Sequence, residues 1–139
     1  PDGSVSDTGM NSMNHYAYGS VVEWMYRCMA GLNPAQPGFK RARIAPVTDP
    51  RFAFVRAEYD SAAGLYKSAW TRDDRHLVCQ VEVPFDAQAD FVPQFEGTWI
   101  VDGEQVDAHG QTFLLEPGRH TLEYAFGGQC PHPLAAALK

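Results

Sequence analysis

Cysteine is scarce in this chain: three residues in 139, at positions 28, 79 and 130. An odd number at such wide spacing is unsuited to a disulfide framework. Cys28 lies in a helical pattern, Cys79 in an alternating β pattern and Cys130 in a proline-interrupted tail. Each reads as a free thiol, which favours a reducing compartment such as the cytoplasm. A chain opening at Pro1 leaves the secretion of any longer protein open. Basic residues are few as well, 11 Lys and Arg against 17 Asp and Glu, for a net charge of -6. Such a surface field repels a phosphate backbone unless the cations cluster. Lys40, Arg41 and Arg43 form the one cluster, and on a strand Lys40 faces away from the other two, so a solvated edge is expected and no nucleic-acid partner. No apolar run reaches bilayer length, and no basic segment followed by an apolar one opens the chain, so no membrane association is read.

Ready-made chemistry is also missing. There is no glycine-rich phosphate loop, no nucleotide fingerprint and no Ser-His-Asp order. His76 and Cys79 stand three apart on a predicted strand and so face opposite ways. Cys130 and His132 sit in the tail without further ligands, so neither a metal site nor a cofactor is predicted.

What is present is a chain with 45% hydrophobic residues, long enough for one packed core. Residues 1–9 are turn formers. Over 16–32 the apolar residues Val21, Met25, Cys28, Met29 and Leu32 recur at helical spacing, which predicts a helix ending at Gly31 and Asn33-Pro34. After Pro37-Gly38 seven β runs follow, at 39–46, 52–59, 65–71, 76–83, 98–101, 112–115 and 120–126. In the fourth, Leu77, Cys79, Val81 and Val83 alternate with Val78, Gln80 and Glu82. Asp73-Asp74, Asp102-Gly103 and Pro117-Gly118 mark expected hairpins. Short strands with turns between them predict a mainly β protein, an antiparallel two-sheet sandwich preceded by one α-helix.

Hydrolysis of a glycoside with inversion needs two carboxyl groups roughly 6.5–9.5 Å apart. Asp2, Asp7 and Glu23 are scattered, while Glu58 with Asp60 and Asp73 with Asp74 occupy ordinary solvated positions, so no catalytic residue is assigned. Trp24 and Tyr26 are separated by about 200° on a helical wheel and cannot form one sugar platform. They are assigned to packing, as are Tyr16 and Tyr18. Glu23 and Arg27 make an i,i+4 surface pair. Trp70 and Trp99 are expected in the sandwich core rather than along a glycan groove.

One stretch is distinctive: Met10-Asn11-Ser12-Met13-Asn14-His15-Tyr16-Ala17-Tyr18-Gly19-Ser20, followed by Val21-Val22-Glu23-Trp24-Met25-Tyr26-Arg27. By itself His15 reads as a brace or cap for the helix start, as does Asn14. The stretch resembles the substrate-facing loop of the α-L-rhamnosidases of glycoside hydrolase family 78, where an Asn-His-Tyr-x-x-Gly turn feeds the last long helix of an (α/α)6 barrel. Gly38-Phe39-Lys40-Arg41, Arg43-Ile44-Ala45-Pro46 and Tyr59-Asp60-Ser61 to Gly64 resemble that family's C-terminal β domain. The resemblance implies that residues 1–34 are the last loop and helix of the barrel and 35–139 a C-terminal β-sandwich. It implies an inverting enzyme that removes terminal α-L-rhamnose from glycosides or polysaccharides, with His15 binding the sugar. The family's catalytic carboxylates lie upstream of the motif, so the chain alone is expected to be inactive. Its partners are then the rhamnoside and the rest of the barrel. Without the barrel, the helix is expected to associate with another copy or to fold back on the sandwich. The alternative is an independent carbohydrate-binding module.

Overall fold

The computed structural model describes residues 19–127. A short helix, α1 (Ser20–Trp24), runs directly into a π-helical turn, Met25–Met29, and ten strands follow. They are β1 (Leu32–Pro34), β2 (Arg41–Ile44), β3 (Phe54–Ser61), β4 (Gly64–Arg72), β5 (His76–Val83), β6 (Gln88–Phe91), β7 (Gly97–Val101), β8 (Glu104–Ala108), β9 (Phe113–Leu115) and β10 (Gly118–Ala125). They form a four-stranded sheet in the order β1-β2-β6-β9 and a six-stranded sheet in the order β3-β4-β5-β10-β7-β8. All pairings are antiparallel except β2 with β6.

The larger sheet follows from local turn chemistry. Ser61 and Gly64 close the β3–β4 hairpin, with the Ser61 hydroxyl donating to the Gly64 carbonyl at 2.8 Å. The Asp73 carboxylate then turns β4 into β5 by accepting the N–H groups of Arg75 and His76, each at 2.7 Å. Asp102 and Gly103, with φ of 52° and 89°, form the two-residue loop between the paired Val101 and Glu104. Positive φ at both positions is the primed turn whose twist suits a hairpin.

Alternation places the core between the sheets. Leu77, Cys79, Val81 and Val83 of β5 are buried, as are Tyr66, Ser68 and Trp70 of β4. Ala42, Ile44, Ala89, Phe91, Phe113 and Leu115 line the core from the smaller sheet. Trp70 and Trp99 are 1% and 0% exposed, in the core as predicted. Trp99 stands edge-on to Phe91 at 5.7 Å and donates its indole N–H to the Phe95 carbonyl at 3.0 Å. Among the described residues no buried side-chain nitrogen or oxygen lacks a partner.

The structure corrects several expectations. Leu32 is the first residue of β1 rather than the last of the helix, because Gly31 at φ 74° has already turned the chain. Strands β1, β6 and β8, not anticipated, are short, and β8 is an edge whose side chains are largely exposed. Pro117-Gly118 does not close a hairpin: β9 pairs with β6, while β10 pairs with β5 and β7. The dipeptide carries the chain from one sheet to the other. Arg41 and Arg43 do share the outer face of β2, where Arg41 grips Asp90 of β6 through two hydrogen bonds of 2.7 and 2.6 Å.

Candidate functional site

Because the N–H groups of a helix are used from one end, its last carbonyls need partners from elsewhere. Here the sandwich supplies them in succession. The Arg27 carbonyl accepts from Asn33 Nδ2 at 2.9 Å, and the Cys28 carbonyl from the Val47 N–H at 2.9 Å. The Met29 carbonyl accepts from the Trp70 indole at 2.8 Å, and the Ala30 carbonyl from the Ser68 hydroxyl at 2.6 Å. The Gly31 carbonyl then accepts the Ala45 N–H at 2.9 Å. Within the helix, the Ala30 N–H reaches back five residues to the Met25 carbonyl at 3.0 Å, the bond of a π turn.

Gly31 makes this docking possible. A Cβ there would lie 2.2 Å from the Pro46 nitrogen and 2.3 Å from the Ala45 carbonyl carbon, so no side chain fits between the helix end and the strand that leaves β2. Ala30 and Leu32, on either side, belong to the buried core.

The first turns of the helix are the opposite. Val21, Val22, Trp24 and Met25 are about half exposed, with Trp24 at 52% and Met25 at 47%. The predicted stripe is therefore split: Cys28 and Met29 turn toward the sandwich, whereas Val21 and Met25 face solvent. Among the described residues no other ring meets Trp24, which stays half exposed. Tyr26 is packed, donating its hydroxyl to the Glu58 carbonyl on the edge strand β3 at 3.2 Å and meeting Tyr59 edge-on at 6.3 Å. A shallow cleft of about 340 Å³ opens on this flank, walled by Val22, Tyr26, Leu32, Pro34, Phe39 and Tyr59, with the Glu23–Arg27 pair among its lining residues. That pair, 2.9 Å apart and exposed, has the predicted i,i+4 geometry.

Among the described residues Glu23 is the one carboxylate lining the cleft, and no second carboxyl group stands beside it as inversion would need. The other carboxylates of interest are in structural roles. Glu58 lies in ion pairs with Arg56 and Lys67 at 3.7 and 3.9 Å. Hydrogen bonds from the N–H groups of Arg75 and His76 lower the pKa of Asp73. The hydrogen bond from Arg41 lowers that of Asp90, and the Arg51 side chain and N–H bring Asp49 down to about 2. Burial raises the thiol of Cys79 and takes the Tyr66 phenol up to about 12, its hydroxyl donating to the Phe39 carbonyl at 2.8 Å. His76 stands 3.8 Å from Asp73, while Cys79 is in the core. His15, Cys130 and His132 lie outside the described residues.

Fold and site together define a β-sandwich domain built around the end of a helix. Residues 31–107 match the bacterial alpha-L-rhamnosidase C-terminal domain, and the chain belongs to that family. It is 39% identical over 85 residues to an alpha-L-rhamnosidase of Alteromonas sp. (strain LOR), an alignment covering 61% of this chain and 9% of that protein. The chain thus spans about a tenth of the length of the curated relatives it matches. Among solved structures it is similar to the alpha-L-rhamnosidase of Streptomyces avermitilis complexed with L-rhamnose, with a TM-score of 0.72 and 30% identity over 89% of this chain and 12% of that one. The fold is shared too by an alpha-L-rhamnosidase from Dictyoglumus thermophilum, at a TM-score of 0.75 and 19% identity, covering 88% of this chain and 15% of that one.

Proposed function

We propose that this chain is the C-terminal part of an inverting α-L-rhamnosidase that removes terminal α-L-rhamnose from glycosides or polysaccharides. In this reading residues 1–34 finish an (α/α)6 catalytic barrel, His15 binds the sugar, and residues 35–139 form a sandwich that anchors the barrel's last helix. The acid and base carboxylates come from the preceding part of the protein, and no cofactor takes part. The observation that carries the reading is the contrast along the helix. One end is bonded carbonyl by carbonyl to the sandwich, and the other presents Val21, Val22, Trp24 and Met25 to solvent. An apolar face of that kind fits a partner surface, and the relatives' much greater length supplies one. The proposed boundary near residue 34 is shared, because Ala30 and Leu32 pack in the sandwich core.

The test compares Trp24→Glu in the longer protein and in this chain. In the chain the substitution should change stability by less than about 0.5 kcal/mol, since Trp24 is half exposed. In the longer protein it should cost about 3 kcal/mol or more, the scale of losing a buried aromatic and burying a charge. Equal effects in both would mean that the helix face meets nothing. The second reading, an independent carbohydrate-binding module, draws on the exposed rings of Phe54 and Phe85, 67% and 84% accessible. They stand on different elements, β3 and the turn after β5, and titrating the chain with rhamnosides separates the two readings.

A further inference from the structure

The Asp102-Gly103 turn holds the ingredients of a backbone rearrangement. An aspartic acid followed by glycine can close on itself: the glycine amide nitrogen bonds to the side-chain carboxyl carbon, the carbon–hydroxyl bond breaks, and the amide hydrogen leaves with the hydroxyl as water. Water then reopens the five-membered imide. Opening at the side-chain carbon restores aspartate, whereas opening at the backbone carbon gives isoaspartate, with an extra methylene in the main chain. Gly103 suits the reaction, since it has no side chain to shield its nitrogen and nothing lies within 4 Å of where a Cβ would stand. Among the described residues no acceptor holds its N–H, and the turn is exposed to water.

The carboxyl group it would attack is, by contrast, tied down on both oxygens. Asp102 Oδ1 accepts the Thr121 N–H at 2.7 Å, and Oδ2 accepts from His120 Nδ1 at 2.7 Å. The imidazole is fixed from its other side too, with Nε2 donating to the Glu116 carbonyl at 2.7 Å and only 15% of the side chain exposed. Both partners can only accept, so the doubly protonated ring serves both, and its bond to the carboxylate is of the stronger, charge-assisted kind. The Asp102 N–H donates to the Thr121 carbonyl at 2.8 Å, which anchors the backbone to the same strand. Ring closure needs nitrogen and carbon aligned within about 3–3.5 Å. A carboxylate drawn across to β10 must leave both donors before it can turn over Gly103.

We propose that Asp102-Gly103 is a site of spontaneous isoaspartate formation, and that His120 with the Thr121 N–H restrains the reaction in the folded protein. Three segments meet at this carboxylate: the β7–β8 turn, β10 and, through His120, the Glu116 carbonyl just before the chain crosses between sheets. Isoaspartate would lengthen a two-residue turn whose register pairs Val101 with Glu104, and it would take the carboxylate from His120.

The full-length protein and a synthetic peptide of residues 98–107 are incubated at neutral pH, well below melting. Isoaspartate at position 102 is followed by electron-transfer mass spectrometry, in the protein through its tryptic peptide His76 to Arg119. The folded protein should react at least about tenfold more slowly than the peptide, the factor that one hydrogen bond to a charged group represents. His120→Ala should raise the rate in the protein about tenfold. Leu77→Val is the control for general loosening: it trims the core four residues along β5 from the Val81 that pairs with His120. It should change the rate by no more than about twofold. His120→Gln keeps one donor and should fall between wild type and the alanine variant, and it decides if His120→Ala does not fold. The proposal is overturned by a folded protein that reacts as fast as the peptide, by His120 variants at the wild-type rate, or by a peptide that forms no isoaspartate. A rise in Leu77→Val equal to that in His120→Ala overturns it as well, because loosening of the fold would then be the cause.

Discussion

Replacing Gly31 by alanine should be among the most damaging single-methyl changes in this protein. Two costs combine. At φ 74° an L side chain is strained by about 1 kcal/mol. The added Cβ also meets three backbone atoms, at 2.2, 2.3 and 2.7 Å, and backbone cannot swing aside as a side chain can. Relief requires the segment from Ala45 to Val47 to move off the helix end, which breaks the bonds from the Ala45 and Val47 N–H groups to the Gly31 and Cys28 carbonyls. At about 1–3 kcal/mol for each of the two bonds broken, with the strain added, the total reaches about 3–7 kcal/mol. Gly110→Ala is the control: φ is 65°, but nothing lies within 4 Å of its Cβ, so only the strain remains. For a chain of this size, about 4 °C of melting temperature accompanies each kcal/mol. Gly31→Ala should therefore melt about 12–28 °C lower and Gly110→Ala about 4 °C lower. Urea titrations with equal slopes provide the free energies. A Gly31→Ala loss within about 1 kcal/mol of the control would refute the close-approach argument.

Three more outcomes follow from the same structure. Asp49, Asp73 and Asp90 are held below the ordinary carboxylate range, so their contribution to stability is complete above the unfolded value of about 3.9 and is lost as pH falls through the folded values. The Asp49 carboxyl should titrate at about 2 by NMR, and a midpoint at the ordinary value would contradict the Arg51 contacts. Alkylation of the native protein, mapped by mass spectrometry, should modify half-buried Cys28 well before Cys79, whose thiol is buried and raised in pKa; equal rates would show that the core opens. Purified as this chain alone, the protein should leave an aryl α-L-rhamnoside untouched, and turnover above the uncatalysed rate would require a carboxyl pair not identified in this chain.

How far the fold could be read from sequence varied with the range of the interactions. β5 spans the predicted 76–83 because its alternation is uninterrupted, and Gly31 ends the helix because its conformation and the following Pro34 act locally. Gln88–Phe91 escaped notice since its outward Gln and Asp find their reason in Glu116 and Arg41, the latter on a strand 49 residues from Asp90. Glu104–Ala108 was hidden by the polar composition of an edge. The turn at Pro117-Gly118 was visible, but its destination was not, since a turn dipeptide does not say which sheet the next strand joins. At the candidate site the sequence showed the helix and its stop. It did not show the seat: Ser68 reads as an ordinary small strand residue until the Ala30 carbonyl, 38 positions earlier, arrives beside it.

That separation also orders events during synthesis. Met29 and the Trp70 that caps it are 41 residues apart, and β4 is itself flanked by β3 and β5. At about 5–20 residues per second, the ribosome needs roughly 2–8 s to make the capping residues after the helix has been made. During that interval the carbonyls of Met29 and Ala30 lack the donors of Trp70 and Ser68, while Asn33, Ala45 and Val47, partners of the neighbouring carbonyls, are already made. The last two bonds of the helix end are thus made by a strand translated later. A ribosome stalled before residue 68 would leave the Met29 and Ala30 carbonyls waiting for donors that the middle of the chain supplies.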